Sequence, residues 1–340
     1  MLRGEQAGDT SVKCVVLDDY QDVAMHFADW SVLHGVDVVS VRRHLGDPDE
    51  VIRTLRGASI VVVMRERTPL TESILAQLPD LELVVTTGSR NAAIDLAACR
   101  GHDIVVCGTA SSSAPPAELT WALVLGLLRD VPQEAAALRE GGPWQSTVGR
   151  DLAGTTFGVV GLGKVGARVA KVAKAFDMDV LAWSPNLTEE RADAAGVRLA
   201  ASKRDLLFSS DVVSLHLQLS WSTRRIIDEG DIAAMRRDAY LVNTARAALV
   251  DNDALVAALQ QGRLAGAGLD VFDEEPLPAG HPLRTLPNVL ALPHLGYVTA
   301  ANYRTYFTEA VENIEAWIAG EPIRVISEDG SWDGPPRPSW

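Results

Sequence analysis

The sequence predicts an α/β protein of two doubly wound parallel-sheet domains with a cleft between them, and three observations carry this. Short β-branched runs alternate with longer amphipathic stretches along the chain. The alternation falls into two series, separated by the Ser/Pro-rich stretch "SSSAPPAEL". The second series opens with three closely spaced glycines between a strand and a helix, "GVVGLGKVG". Continuous apolar strands separated by helices indicate parallel sheets covered on both faces.

In the first series the strand candidates are "VKCVVLDD", "SIVVVMRE", "LELVVTTG" and "HDIVVCG". Helical patterns such as "MHFADWSVL", "DEVIRTLR", "TESILAQL" and "AAIDLAACR" lie between them. Pro115 and Pro116 then fit the first turn of a mostly apolar helix. A helix apolar all round is expected to be buried between domains or in a dimer interface, with Leu119–Leu128 as the contact. The second series runs through "TTFGVVGLG", "DVLAWS", "SDVVSLHLQL", "AYLVNTAR", "LAGAGLDVF" and "NVLALPHLG". A last helix, "NYRTYFTEAVENIEAWIAG", is expected to pack back on the first domain. The expected division is therefore 1–108 with 302–326 for one domain, 109–301 for the other, and a loose tail at 327–340.

Composition narrows the classes of function. Of 340 residues, 47% are hydrophobic and 22% charged, as in a globular protein large enough for two domains. No apolar run reaches the roughly 18 residues that cross a bilayer, and the polar start lacks a signal-peptide core. Cys14, Cys99 and Cys107 form no C-x-x-C pair and suggest reduced, buried thiols in a cytoplasmic protein without a metal site. A net charge of −14 disfavours nucleic acid and anionic membrane as partners.

The glycines are Gly161, Gly163 and Gly166. In a dinucleotide-binding turn the first allows the sharp bend, the second lets a diphosphate approach, and the third lets helix and strand pack closely. The helix N-terminus behind them attracts that diphosphate despite the overall acidity. The acidic residue expected at the end of the next strand is replaced by Ser184, with no Arg or Lys immediately after it. NAD and NADP both stay open, with NAD slightly favoured.

Three residues beyond strand ends have types suited to one reaction. Arg246 in "LVNTARAALVD" can grip a carboxylate. His294 in "LALPHLGY" can exchange a proton with a hydroxyl or carbonyl oxygen, and Glu275 in "GLDVFDEEPLP" can hold its ring. Each alone fits a surface or loop role. Together they fit hydride transfer between a nicotinamide and a 2-hydroxy/2-oxo acid.

With "AELTWALVLGLLRDVP", "GVVGLGKVG", "SDVVSLHLQLS", "LVNTARAALVD", "GAGLDVFDEEPLP" and "LPHLGY" in this order, the chain resembles the D-isomer-specific 2-hydroxyacid dehydrogenases over about residues 60–320. The resemblance implies Rossmann-like or flavodoxin-like domains, a homodimer, and a catalytic set of Arg246, Glu275 and His294. It implies cofactor contacts at Gly161, Gly163, Lys164, Val165, Gly166, Ser184, Thr244, Ala245, Arg246, Asp270, His294 and Gly296. For the substrate it implies backbone N–H groups of the "TTGSRN" loop at Thr87, Gly88, Ser89 and Arg90, with Arg65 and Arg67 adding charge. Two substitutions depart from the family pattern: Ser184 for the usual aspartate, and Ala247 for the glycine after the arginine. A short form is expected, with no regulatory domain after the final helix, unlike the long phosphoglycerate dehydrogenases.

The alternative is a non-enzymatic, dinucleotide-sensing corepressor-like protein on the same fold, against which the Arg/Glu/His set speaks. An S-adenosylmethionine methyltransferase has no use for that set, and a formate dehydrogenase is more distant.

Overall fold

A computed structural model describes residues 11–334. The polar start and residues 335–340 of the expected tail lie outside that range. The chain divides into two compact units, one from residues up to Ser112 together with those from Thr299, the other from Ser113–Val298.

The first unit has strands β1 (Val12–Val16), β2 (Val36–Ser40), β3 (Ile60–Val63), β4 (Leu83–Thr86) and β5 (Val105–Cys107), with helices α1 (Ala24–Phe27), α2 (Pro48–Leu55), α3 (Glu72–Leu75) and α4 (Leu96–Gly101). They form one parallel sheet in the order β2-β1-β3-β4-β5. Every residue of β3 and β4 is buried, as β-branched runs covered on both faces should be. The edge strand β2, "VDVVS", was not among the strand candidates; its partly exposed residues break the continuous apolar signal. The long helix α12 (Ala300–Ile318) belongs to this unit, and its Tyr303 and Phe307 rings meet Phe27 and Trp30 at centroid distances of 5.9 and 6.3 Å.

Residues 324–326, within the expected first domain, and 327–334, the described part of the expected loose tail, are held by backbone and packing contacts. Gly108 N–H donates to Arg324 O (2.9 Å) and Ile326 N–H to Val106 O (2.8 Å), so 324–326 line the open edge of β5 antiparallel. The chain then turns at 327–331, and Trp332 packs on the core. Pairing covers an edge that would otherwise invite other strands.

The second unit contains α5 (Ala114–Leu128), α6 (Val131–Arg139), β6 (Thr156–Val160), α7 (Lys164–Ala175), β7 (Asp179–Trp183), α8 (Glu189–Ala194), β8 (Arg198–Leu199), α9 (Lys203–Ser209), β9 (Val212–Leu215), α10 (Glu229–Ala234), β10 (Tyr240–Asn243), α11 (Asn252–Gln260), β11 (Gly266–Leu269) and β12 (Val289–Ala291). The sheet is parallel, in the order β12-β11-β10-β9-β6-β7-β8. Chain order reverses between β6 and β9, and in open α/β sheets ligands bind beyond the strand carboxyl ends at such a point. The apolar α5 has a closer reason for its composition than a domain or dimer interface. Within this unit Leu123 and Leu127 cover Gly268, Gly126 faces Leu290, and Trp121 stacks on Phe157 at 5.2 Å. Only a stripe including Ala122 and Arg129 stays exposed.

Candidate active site

The turn after β6 is shaped by backbone proximity. Gly161 has φ +104°, and a Cβ there would stand 2.8 Å from the carbonyl carbon of His216, at the end of β9. A Cβ on Gly166 would lie 2.0 Å from Gly161 O. Gly163 differs: its φ of −86° suits any residue, and a Cβ would meet nothing within 4 Å. It is the N-cap of α7, and no side chain caps that end. Neither strain nor protein packing calls for glycine at this position. A ligand approaching the uncapped N–H groups of a twelve-residue helix does, and the turn fits a diphosphate.

Three neighbouring strands deliver the chemical groups. Registers of Asn243 with Leu269 and Leu269 with Ala291 align the ends of β10, β11 and β12. Asn243, almost fully buried, donates from Nδ2 to Arg246 O (2.9 Å) and accepts Ala245 N–H at Oδ1 (3.0 Å). This clamp sets the turn that carries Arg246, whose Nη1 donates to Ala245 O (2.7 Å). Ala247 opens a 3-10 turn and lacks a positive φ, so the methyl in place of glycine strains nothing.

His294 and Glu275, nineteen residues apart, meet. His294 Nδ1 lies 2.7 Å from Glu275 Oε2, while Glu275 Oε1 accepts Phe272 N–H at 2.9 Å. With Nδ1 so held, Nε2 is the nitrogen available for proton transfer. His294 sits at φ +54°, and its loop is tied down from below. Asp270, fully buried, accepts Leu295 N–H at Oδ1 (2.7 Å) and Gly296 N–H at Oδ2 (2.8 Å). A Cβ on Gly296 would stand 3.1 Å from that carboxylate. Asp270 and Gly296, implied as cofactor contacts, thus bond each other and support the histidine. Burial pushes the Asp270 carboxyl up to about 6, against the two N–H bonds and the nearby His294, which pull it down.

The other histidine near the glycine turn is no rival. His216 Nε2 is 2.9 Å from Ser214 Oγ, and burial drives its pKa down to about 3, so it stays neutral near pH 7. Thr244 is buried and its hydroxyl pairs with that of Thr120 at 2.8 Å. Lys164 is exposed at the start of α7, with Val165 half-buried beside it. Ser184 follows β7, whose Trp183 O accepts Gly161 N–H at 2.9 Å. Asn243 escaped the reading of the sequence, although "VNTAR" places it at a strand end.

At the carboxyl edge of the first sheet, Arg65 lies across Gly88, where a Cβ would stand 1.8 Å from Nη1. That nitrogen donates to Thr87 O at 3.2 Å. The implied row of backbone donors is shorter than expected. Thr87 N–H is bound to Val63 O (3.0 Å) and Gly88 N–H to Thr109 Oγ1 (2.7 Å), while Ser89 is buried. Arg90 is exposed. Arg67 stacks over Tyr20 at 4.4 Å. No three His, Cys, Asp or Glu side chains among the described residues are grouped to hold a metal.

Residues 121–296 match the family described as D-isomer specific 2-hydroxyacid dehydrogenase, NAD binding domain. The glyoxylate reductase of Aeropyrum pernix is 36% identical over 266 residues, covering 75% of this chain and 79% of its own. The chain belongs to the D-isomer specific 2-hydroxyacid dehydrogenase family.

Among its relatives, the D-3-phosphoglycerate dehydrogenase of Methanocaldococcus jannaschii is 35% identical over 313 residues, 91% of this chain. The chain spans only 58% of that enzyme's length. A Vibrio cholerae structure described as a phosphoglycerate oxidoreductase superposes with TM-score 0.87 at 38% identity, covering 91% of this chain and 99% of that one. The second unit is the dehydrogenases' NAD-binding domain, and the glycine turn described above lies within it.

Proposed function

We propose that the protein interconverts a D-2-hydroxy acid and its 2-oxo acid with a nicotinamide dinucleotide. The observation that carries the reading is the 2.7 Å contact of His294 with Glu275, on a loop fixed by Asp270, in the unit that holds the glycine turn. A nicotinamide held at the glycine turn's unit would supply or accept the hydride. His294 Nε2 gives a proton to the substrate's C2 oxygen in reduction and takes it back in oxidation, while Glu275 keeps the ring in place. Arg246 grips the carboxylate and polarises the adjacent carbonyl. In the first unit, Arg65, Gly88, Ser89 and Arg90 are the groups we propose for binding an anionic substrate.

His294→Ala or Arg246→Ala should lower turnover by about 10²–10⁴-fold with nicotinamide affinity little changed. A panel of 2-oxo acids followed by nicotinamide absorbance, with NADH and NADPH in parallel, tests this. Normal activity in either variant overturns the assignment, and cofactor binding without turnover of any acid favours the sensor instead.

We infer a homodimer through the second unit. Next to the exposed stripe of α5, helix α6 buries no residue of its own. Leu125, Val131, Leu138 and Trp144 line a cavity of about 580 Å³ there, with Trp144 79% and Leu138 65% exposed. Apolar side chains left open to water in this way suit a second copy. A purely monomeric sedimentation profile would refute it. The substrate is a small acid, and the −14 charge supports neither nucleic acid nor membrane as partner. No helix among the described residues is long and apolar enough to cross a membrane. Cys14, Cys99 and Cys107 are free and buried, with pKa values raised to about 12 by burial, in keeping with a reducing cytoplasm.

A further inference from the structure

The contact of Glu275 with His294 decides which nitrogen of the imidazole faces the carboxylate, but it does not fix the tilt of the ring. A single bond at Nδ1 (2.7 Å) is a pivot on which the imidazole can still rock. Proton transfer needs the other nitrogen held within hydrogen-bond reach of one oxygen. A second support must therefore bear on the side of the ring, and the chain places an aromatic side chain there three residues on.

That side chain is Tyr297. Its ring meets the ring of His294 at a centroid distance of 5.4 Å and an interplanar angle of 71°, the edge-to-face arrangement that aromatic pairs favour. The tyrosine is only 7% exposed, so it cannot swing aside without opening a void in its packing. The His294 side chain keeps 17% exposure, which leaves part of the ring open to a substrate.

The turn that Asp270 ties down also sets where Tyr297 goes. Val298 N–H donates to Leu295 O at 2.8 Å and closes residues 295–298 into a tight turn with Gly296 and Tyr297 at its centre. Asp270 holds the first two N–H groups of this turn, those of Leu295 and Gly296. On the side of entry, His294 N–H donates to Leu292 O at 3.0 Å across Pro293. The backbone is thus fixed on both sides of the imidazole, and the two rings leave one short, tethered loop.

We propose that Tyr297 is a positioning residue whose ring braces the imidazole from the side, so that Glu275 and Tyr297 together aim His294 Nε2 at the substrate's C2 oxygen. The inference rests on the dehydrogenase reading above. The brace is the aromatic ring and not its hydroxyl, because an edge-to-face contact is made by ring atoms alone.

Steady-state reduction of whichever 2-oxo acid of the panel is turned over fastest tests this in two variants. Tyr297→Phe keeps the brace and should hold kcat within about twofold. Tyr297→Leu keeps an apolar side chain but loses the ring, and should lower kcat by about ten- to thirtyfold. In both variants the KM for the acid, and the affinity for NADH by titration, should stay within about twofold. Tyr297→Met, with a side chain that adapts to its surroundings, should show the same loss and takes the place of the leucine variant if that one fails to fold. Unchanged kcat in the leucine and methionine variants overturns the proposal. So does an equal loss in Tyr297→Phe, which would assign the role to the hydroxyl, or a matching loss of NADH affinity, which would mean that the loop has collapsed. Failure of the unaltered protein to reduce any acid while binding NADH would reject the dehydrogenase reading itself, and this inference with it.

Discussion

Replacing Asp270 with asparagine separates what its carboxylate does for folding from what it does for His294. The carboxyl is raised from 3.8 to about 6, chiefly by burial. An acid whose pKa is higher in the folded than in the unfolded chain lowers stability as pH rises between those values. The full effect here is about 3 kcal/mol, of which about half develops between pH 5 and pH 8. Asparagine cannot ionise and so escapes that cost, but its single amide oxygen serves the two N–H groups less well, and the two effects oppose each other. Relative to the unaltered protein, the variant should therefore gain about 1.5 kcal/mol in urea unfolding between pH 5 and pH 8. Catalysis has no such compensation. Freed at Leu295 or Gly296, the loop lets the imidazole drift, and turnover should fall roughly ten- to a hundredfold. Reduction of a 2-oxo acid should also decline below about pH 6 in the unaltered enzyme, as the Asp270 carboxylate that holds the loop takes up its proton. A stability gap that is the same at pH 5 and pH 8, or unchanged turnover, would refute this account.

The glycine turn offers a matched pair of substitutions. Gly166→Ala puts a methyl 2.0 Å from Gly161 O and should cost well over about 2 kcal/mol of stability, read by urea unfolding. Gly163→Ala meets nothing in the protein; it should fold normally and weaken dinucleotide binding by tenfold or more in a titration. Arg324→Ala removes the partner of Asn313 (3.0 Å), of Glu312, and of Glu309 (3.5 Å), whose carboxyl burial already raises. A loss of about 3 kcal/mol is expected in denaturant, and a loss under about 1 kcal/mol would show that this latch carries little.

Much of this was legible in residues, for physical reasons. Runs such as "IVVV" in β3 and "LVVT" in β4 announce strands covered on both faces, whereas β2 alternates and β8 has only two residues. Arg246, Glu275 and His294 were readable because each follows a strand whose end the pattern marks. The supports beneath them were not. Asp270 acts across the lateral register of β11 and β12, which no local spacing encodes, whereas Asn243 acts within its own turn through its neighbours Ala245 and Arg246. The Gly/Pro-rich composition after residue 326 suggested slack, but among the described residues Trp332 packs on the core.

The antiparallel cover on β5 has a consequence for how the chain is made. A ribosome releases all five strands of the first sheet before it has begun the dinucleotide unit, yet the segment that shields their outer margin comes out only after the whole of that unit. Throughout that interval the nascent polypeptide carries a bare row of N–H and C=O groups along β5, open to any passing strand. Early translational arrest would thus leave a fragment more prone to clump than the finished protein.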